Sequence, residues 1–193
     1  KIIPGEPSLT FKYGWDTDSI MKDVNQNLTL QINRSGIMSI QGFKNQKPYG
    51  KIHKQEFSKH NANGGSVEYI SNYSEFYESN YNYTLTDGKI GSLNFKDGNW
   101  QGFFGKDIEC IIDLNKQIAI STVKSNFFQY SNSWIFLPEF LEIQLSIDGQ
   151  IWSKSITENP IKNPKERGGV KECISVDCHN EMARYIKIKA KNR

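Results

Sequence analysis

Leu141, Ile143, Leu145 and Ile147 alternate with Glu142, Gln144, Ser146 and Asp148, and the run ends in Asp148-Gly149. A side-chain period of two belongs to a strand with one buried and one wet face. A helix repeats every 3.6 residues and cannot carry that pattern. Asp-Gly then supplies the positive dihedral of a hairpin turn leading into Ile151-Trp152. The same period recurs in Arg184-Tyr185-Ile186-Lys187-Ile188-Lys189-Ala190 at the C-terminal end. It recurs again from Ile118, where Ile118 and Ile120 share one parity and Val123, Ser125 and Phe127 the other. That slip predicts a bulge between Thr122 and Val123. Short alternating runs separated by turn residues predict an all-β antiparallel sandwich for the second part of the chain. No run of about 18 apolar residues exists, so no transmembrane helix is predicted.

The first part uses the same grammar. Leu28-Thr29-Leu30-Gln31-Ile32-Asn33, Arg34-Ser35-Gly36 and Ile37-Met38-Ser39-Ile40 predict a hairpin, and Gln41 to Phe57 a second one around Asn45-Gln46-Lys47-Pro48. Asp18 to Val24 is the one short helix expected there, with Asp16 to Asp18 as caps. From His60 the chain runs through Asn61-Ala62-Asn63-Gly64-Gly65-Ser66, polar and without hydrophobic period, which marks a boundary between domains at 1–62 and 66–193. Charge shifts mildly across it: the first 65 residues carry 9 basic and 5 acidic side chains, the rest 15 and 16.

A net charge of +3 from 24 basic and 21 acidic residues is too balanced for phosphate neutralisation, so nucleic acid is not an expected partner. The sequence opens on Lys-Ile-Ile-Pro, with neither Met nor a leader, so a processed or excised piece of a longer protein is expected. Cys110 falls on the face of Ile108, Ile112 and Leu114 and reads as a small core side chain. Cys173 and Cys178 are either two structural thiols or a local disulfide; their spacing is not that of a zinc or redox pair.

No catalytic signature emerges. A Gly-x-Ser-x-Gly elbow is missing. Gly102-Phe103-Phe104-Gly105-Lys106 has too short a spacing for a phosphate loop, and Asp107 stands where Ser or Thr must follow. The strand carboxylates, such as Asp113 and Glu142, fall on outward parity. The turn-rich segments instead collect rings. Asp97 to Gly105 holds Trp100, Phe103 and Phe104; Phe127 to Pro138 holds Tyr130, Trp134 and Phe136; Tyr69 to Tyr83 holds six more. A pyranose packs its C–H face on an aromatic ring while amides and hydroxyls meet its hydroxyl groups, so this composition suits a carbohydrate. Trp100 and Phe136 serve equally well as core plugs, and Trp134 or Tyr130 is the ring expected to reach solvent.

Leu85-Thr86-Asp87-Gly88-Lys89-Ile90-Gly91-Ser92, Asp97-Gly98-Asn99-Trp100-Gln101-Gly102, Ile111-Ile112-Asp113-Leu114, Gln129-Tyr130-Ser131-Asn132-Ser133-Trp134-Ile135-Phe136-Leu137-Pro138, Ser146-Ile147-Asp148-Gly149 and Arg184-Tyr185-Ile186-Lys187 together resemble the discoidin-like, or coagulation-factor C-type, domain. In bacterial glycosidases this is the family-32 carbohydrate-binding module. Residues 66–193 are similar in particular to the C-terminal module of Bacteroidetes β-N-acetylhexosaminidases, or chitobiases. Ile40 to Lys51 more loosely resembles the small β-sandwich that precedes that module there.

The resemblance implies a small β-sandwich followed by a galactose-binding-like jelly roll. It implies glycan binding, to terminal galactose or N-acetylhexosamine, by loops carrying Trp100, Gln101, Gln129, Tyr130, Asn132, Ser133 and Trp134. It implies a structural calcium held by Asp87, Ser92 and the Leu85 carbonyl. It also implies a non-catalytic, extracytoplasmic region of a glycoside hydrolase, with the parent's catalytic domain as partner and no membrane insertion. The alternative is a purely structural module packed on the catalytic barrel. Phospholipid or protein recognition through Trp134-Ile135-Phe136, as in animal discoidin domains, is a weaker third reading.

Overall fold

The computed structural model describes residues 8–18, 21–24, 27–158 and 168–193. These divide into two compact units, one running up to His60 together with Gly88–Ile90, the other made of Asn61–Asp87 and Gly91–Arg193. No helix among the described residues is long and apolar enough to cross a membrane.

The first unit is built on a five-stranded antiparallel sheet. Its strands are β1 (Leu9–Trp15), β2 (Lys22–Val24), β3 (Gly36–Lys44), β4 (Lys47–Phe57) and β6 (Lys89–Ile90), in the order β2-β1-β3-β4-β6. Asn45 and Gln46 turn β3 into β4 with φ of 51° and 64°, the doubly left-handed geometry that fits the twist of two paired strands. The expected helix over Asp18 to Val24 is overturned: Lys22–Val24 is a strand paired with β1, and Val24 is buried on it. Asp18 is occupied otherwise, accepting from the Trp15 amide and the Arg34 guanidinium, so it closes a turn and caps no helix. The hairpin expected across Arg34-Ser35-Gly36 does not form. Residues 29–33 carry no strand, and β3 takes β1 as its partner through Tyr13↔Ile40.

The second unit contains β5 (Ser66–Tyr69), β7 (Ile108–Gln129), β8 (Leu141–Ser146), β9 (Ile156–Glu158) and β10 (Val170–Ala190), in the order β5-β7-β10-β8-β9. β7 and β10 are 22 and 21 residues long and pair antiparallel from Ile108↔Ala190 to Gln129↔Val170. Two irregularities break the pair. Residues 114–117 oppose Arg184 alone, with Asn115 left-handed at φ 62°. Cys178 to Asn180 oppose Ser121 alone, with His179 and Asn180 at φ 55° and 59°. The inward parity of β7 changes there, from Ile120 to Val123, and the extra residues lie on β10.

One core joins both halves of this pair: Cys110, Ile112 and Leu114 pack with Ile120, Val123, Ile174 and Val176, and β8 adds Leu141, Ile143 and Leu145. Those three β8 side chains are at most 1% exposed. Burying a Leu or Ile contributes about 1.5–3 kcal/mol each, which makes β8 a main anchor of the unit. The chain leaves β8 through an Asp148-Gly149 turn wider than a two-residue hairpin. Asp148 Oδ1 accepts the amides of Gln150 and Ile151, so the strand resumes contact only where the Ser153 amide donates to Leu145 O. Cys110 is buried as expected. Cys173 is exposed and Cys178 buried, both as free thiols, because five positions along a strand put them on opposite faces.

Candidate glycan site

The segment after β7 folds into a closed loop. The Tyr130 amide donates to Ile135 O and the Ile135 amide to Tyr130 O, at 3.0 and 3.3 Å. Between them Ser131–Ser133 forms a 3-10 turn, with the Ser133 amide donating to Tyr130 O and the Trp134 amide to Ser131 O. Trp134 ends this turn in the left-handed region, φ 57° and ψ 31°. A bulky residue rarely adopts that conformation, which costs about 1–3 kcal/mol and persists where surrounding structure fixes it. The loop is fixed at both ends. Tyr130 stacks on buried Phe128 at 6.5 Å and meets Phe95 at 5.9 Å, and at the other end Leu137 and Pro138 are buried.

The ring of Trp134 is 85% exposed. Beside it Asn132 and Ser133 are exposed, and their side chains make no hydrogen bond within the described residues. The loop therefore presents one apolar plate and two free polar groups on a backbone already ordered. Phe136, equally placed as a core plug by sequence, is 41% exposed and stands edge-to-face to Trp134.

The other residues expected here are engaged elsewhere. Trp100 is half-buried, packs on Phe128 at 5.3 Å and donates its indole N–H to Ser92 O at 2.9 Å. Gln101 accepts from the Tyr69 hydroxyl and donates to Glu78 O and Tyr81 O, so its amide is a tether between loops. Gln129 is 2% exposed, because it shares the inward parity of Val123 and Phe127 on β7, and it offers nothing to a ligand. Of the seven residues, the structure brings Tyr130, Asn132, Ser133 and Trp134 together. Sequence gave no signal for Phe95, whose ring supports Tyr130 and also meets Tyr77.

Of the three residues named for calcium, Asp87 and Ser92 have hydrogen-bond partners of their own. Asp87 Oδ2 accepts an amide hydrogen from Asn80 at 3.1 Å. The carbonyls of Thr86 and Ser92 accept from the Gly64 amide and the Trp100 indole. No group of three His, Cys, Asp or Glu side chains that could hold a metal occurs among the described residues. Calcium takes about six to eight oxygens, and Asp87 is the one carboxylate among the three residues named for it.

A cleft of about 170 Å³ lies on the outer face of the sheet, lined by Glu109, Glu142, Gln144, Lys187 and Lys189. Lys187 pairs with Glu109 at 3.5 Å within it. Its lining holds no ring on which a sugar face could rest.

No protein-family model matches the chain, and no curated protein matches it in sequence. Among solved structures, it is similar to a fucose-binding module from Streptococcus pneumoniae, with 18% identity over 69% of this chain and 85% of that one and a TM-score of 0.50. A family-32 carbohydrate-binding module produced by Clostridium perfringens gives 17% identity, coverage of 67% and 84%, and a TM-score of 0.40. The C-terminal domain of a chitobiase from Bacteroides fragilis gives 18%, 66% and 82%, and 0.37. At 18% identity the likeness to the S. pneumoniae module is one of fold: an all-β, galactose-binding-like sandwich.

Proposed function

We propose that the second unit is a glycan-binding module that takes a saccharide on the Tyr130–Phe136 loop. The observation that carries this reading is the exposed Trp134 ring beside the unengaged side chains of Asn132 and Ser133. The ring takes the C–H face of a pyranose, while an amide and a hydroxyl meet its hydroxyl groups. The S. pneumoniae module of the same fold, described as fucose-binding, supports a sugar as the ligand class. The site is shallow, so a single contact binds weakly, with Kd on the order of 0.1–1 mM. Residence on a glycan then comes from tethering to a larger assembly. The sequence resemblance extends the proposal to an extracytoplasmic glycoside hydrolase of the β-N-acetylhexosaminidase type, with this region non-catalytic.

Glycan-array binding followed by titration of the hit tests the site. Trp134→Asn is the informative variant, because Asn tolerates the left-handed backbone and removes only the ring. It abolishes binding and leaves Tm unchanged. Undiminished binding by this variant would sink the assignment.

A second reading has its own observation. Phe76 and Phe104 are 90% and 89% exposed on two loops fastened by Ser74 N→Gly102 O and Gly102 N→Tyr77 O. Two bare phenyl rings held this way suit packing against a neighbouring domain, and the parent's catalytic domain is the proposed cover. Serine at both positions weakens that association and spares the sugar.

A further inference from the structure

The Trp134 and Phe136 rings lie 6.4 Å apart, centroid to centroid, with their planes at 83°. We propose that this perpendicular pair is a methyl-recognising corner, which restricts the ligand to neutral sugars bearing a methyl group: a 6-deoxyhexose or a 2-acetamido sugar. The inference rests on the glycan reading above and adds a specificity-determining residue, Phe136, to it.

A plain pyranose needs one aromatic wall, because its C–H groups lie on one face. With the sugar flat on Trp134, the second wall meets whatever projects from the rim of the sugar ring. A hydroxyl or hydroxymethyl placed against Phe136 loses water and finds no acceptor on a phenyl face, which is unfavourable. A methyl placed there loses nothing and buries apolar surface on both partners. Phe136 is 41% exposed, so its ring is reachable, and Ile135 between the two aromatics is pinned by both of its backbone hydrogen bonds to Tyr130. The backbone that carries the two walls is therefore ordered before a ligand arrives. Residues 127–138 contain no charged side chain, so the loop brings no counter-charge to a carboxylated or sulfated sugar. Asn132 and Ser133 remain to take the ring hydroxyls.

Two sugar pairs distinguish the sources of the methyl. Methyl α-L-fucoside and methyl α-L-galactoside differ only in a methyl against a hydroxymethyl group. Methyl N-acetyl-β-glucosaminide and methyl β-glucoside differ in the acetamido group. Each is titrated into the full chain, with the Trp134 indole resonance as readout. At least one methyl-bearing member binds about tenfold tighter than its partner, a buried methyl plus a spared hydroxyl. Phe136→Ser brings that ratio to about one, whereas Phe136→Leu, which keeps an apolar wall, retains it. Near-equal affinity within both pairs, or a ratio that survives Phe136→Ser, overturns the corner even where Trp134-dependent binding persists. If none of the four sugars moves the indole resonance the corner also falls, and an array hit lost in Trp134→Asn would still uphold the site.

Discussion

Arg184 closes on Asp113 with two parallel hydrogen bonds, Nε to Oδ1 and Nη2 to Oδ2, both 2.8 Å long. The pair sits where β7 and β10 change register, between Asp113↔Tyr185 and Ile118↔Ala183. Four residues of β7 stand opposite Arg184 alone at this corner, and a forked side chain is well suited to hold the excess chain in place. The Arg184 guanidinium holds the Asp113 carboxyl below the ordinary carboxylate range, helped by the Asn115 amide and against some desolvation. A lowered carboxyl contributes stability that is complete above its unfolded value of about 4 and is lost as pH falls through the lower folded value. Asp113→Asn is thus less stable than the wild type at neutral pH. Urea midpoints measured from pH 7 to pH 2 converge in acid. A gap that stays constant across this range would remove the pair from the acid response.

Gly91 lies directly beneath the Trp100 ring. A Cβ there would stand 2.2 Å from the indole Cε2, a distance that no packing tolerates. Gly91→Ala must push the ring off Phe128 and break its bond to Ser92 O. Overpacking of this kind costs about 1–3 kcal/mol, read as a lowered urea midpoint with red-shifted tryptophan emission. Sugar affinity stays, because Trp134 is on another loop.

Gln101→Ala separates tether from ligand contact. It leaves the half-buried Tyr69 hydroxyl and two carbonyls without their partner. Stability drops by about 1–3 kcal/mol, the cost of stranding such groups, while the Kd for any array hit is unchanged. A lost glycan signal in a variant that still melts cooperatively would return Gln101 to the site.

The thiols sort by burial. Burial pushes Cys110 up to about 12, and Cys178 is raised by the same cause. A thiolate reagent at pH 8 therefore modifies Cys173 in the native protein and all three cysteines after denaturation. Fast native modification of two or more thiols would contradict the packing of the core.

Calcium does not change the melting temperature. A ligand bound only by the folded state must raise stability, so identical Tm values in millimolar calcium and in excess chelator are the expected outcome. A rise of several degrees in calcium would make Asp87 a ligand after all.

The candidate site was legible in the sequence as a set of residue types and illegible as a selection among them. Gln101, Gln129, Asn132 and Ser133 all stand within two residues of an aromatic ring in the chain and look equivalent there. Which amide is free depends on partners remote in sequence. Tyr69 takes Gln101 across 32 positions, and Gln129 is turned inside with Val123 and Phe127 by the parity of β7. Asn132 and Ser133 lie exposed in a 3-10 turn, and their side chains make no hydrogen bond within the described residues. Phe136 is ambiguous in the sequence too: it is 41% exposed and follows a left-handed turn at Trp134, a conformation that a tryptophan does not advertise.

Alternation alone determined that this chain is built of strands, since a period of two leaves only a pleated surface with one dry face. It also determined which side chains of β8 and of the C-terminal part of β10 point inward, and where the inward parity of β7 slips. Pairing was decided elsewhere. Leu28 to Ile32 alternates as well as β3 does, yet β3 joins β1, and the 22-residue β7 meets β10 through two bulges. A strand's pattern fixes which of its faces is buried, but its backbone hydrogen bonds fit almost any other strand. Only the shape of the assembled core selects the partner, and with it the loop left exposed.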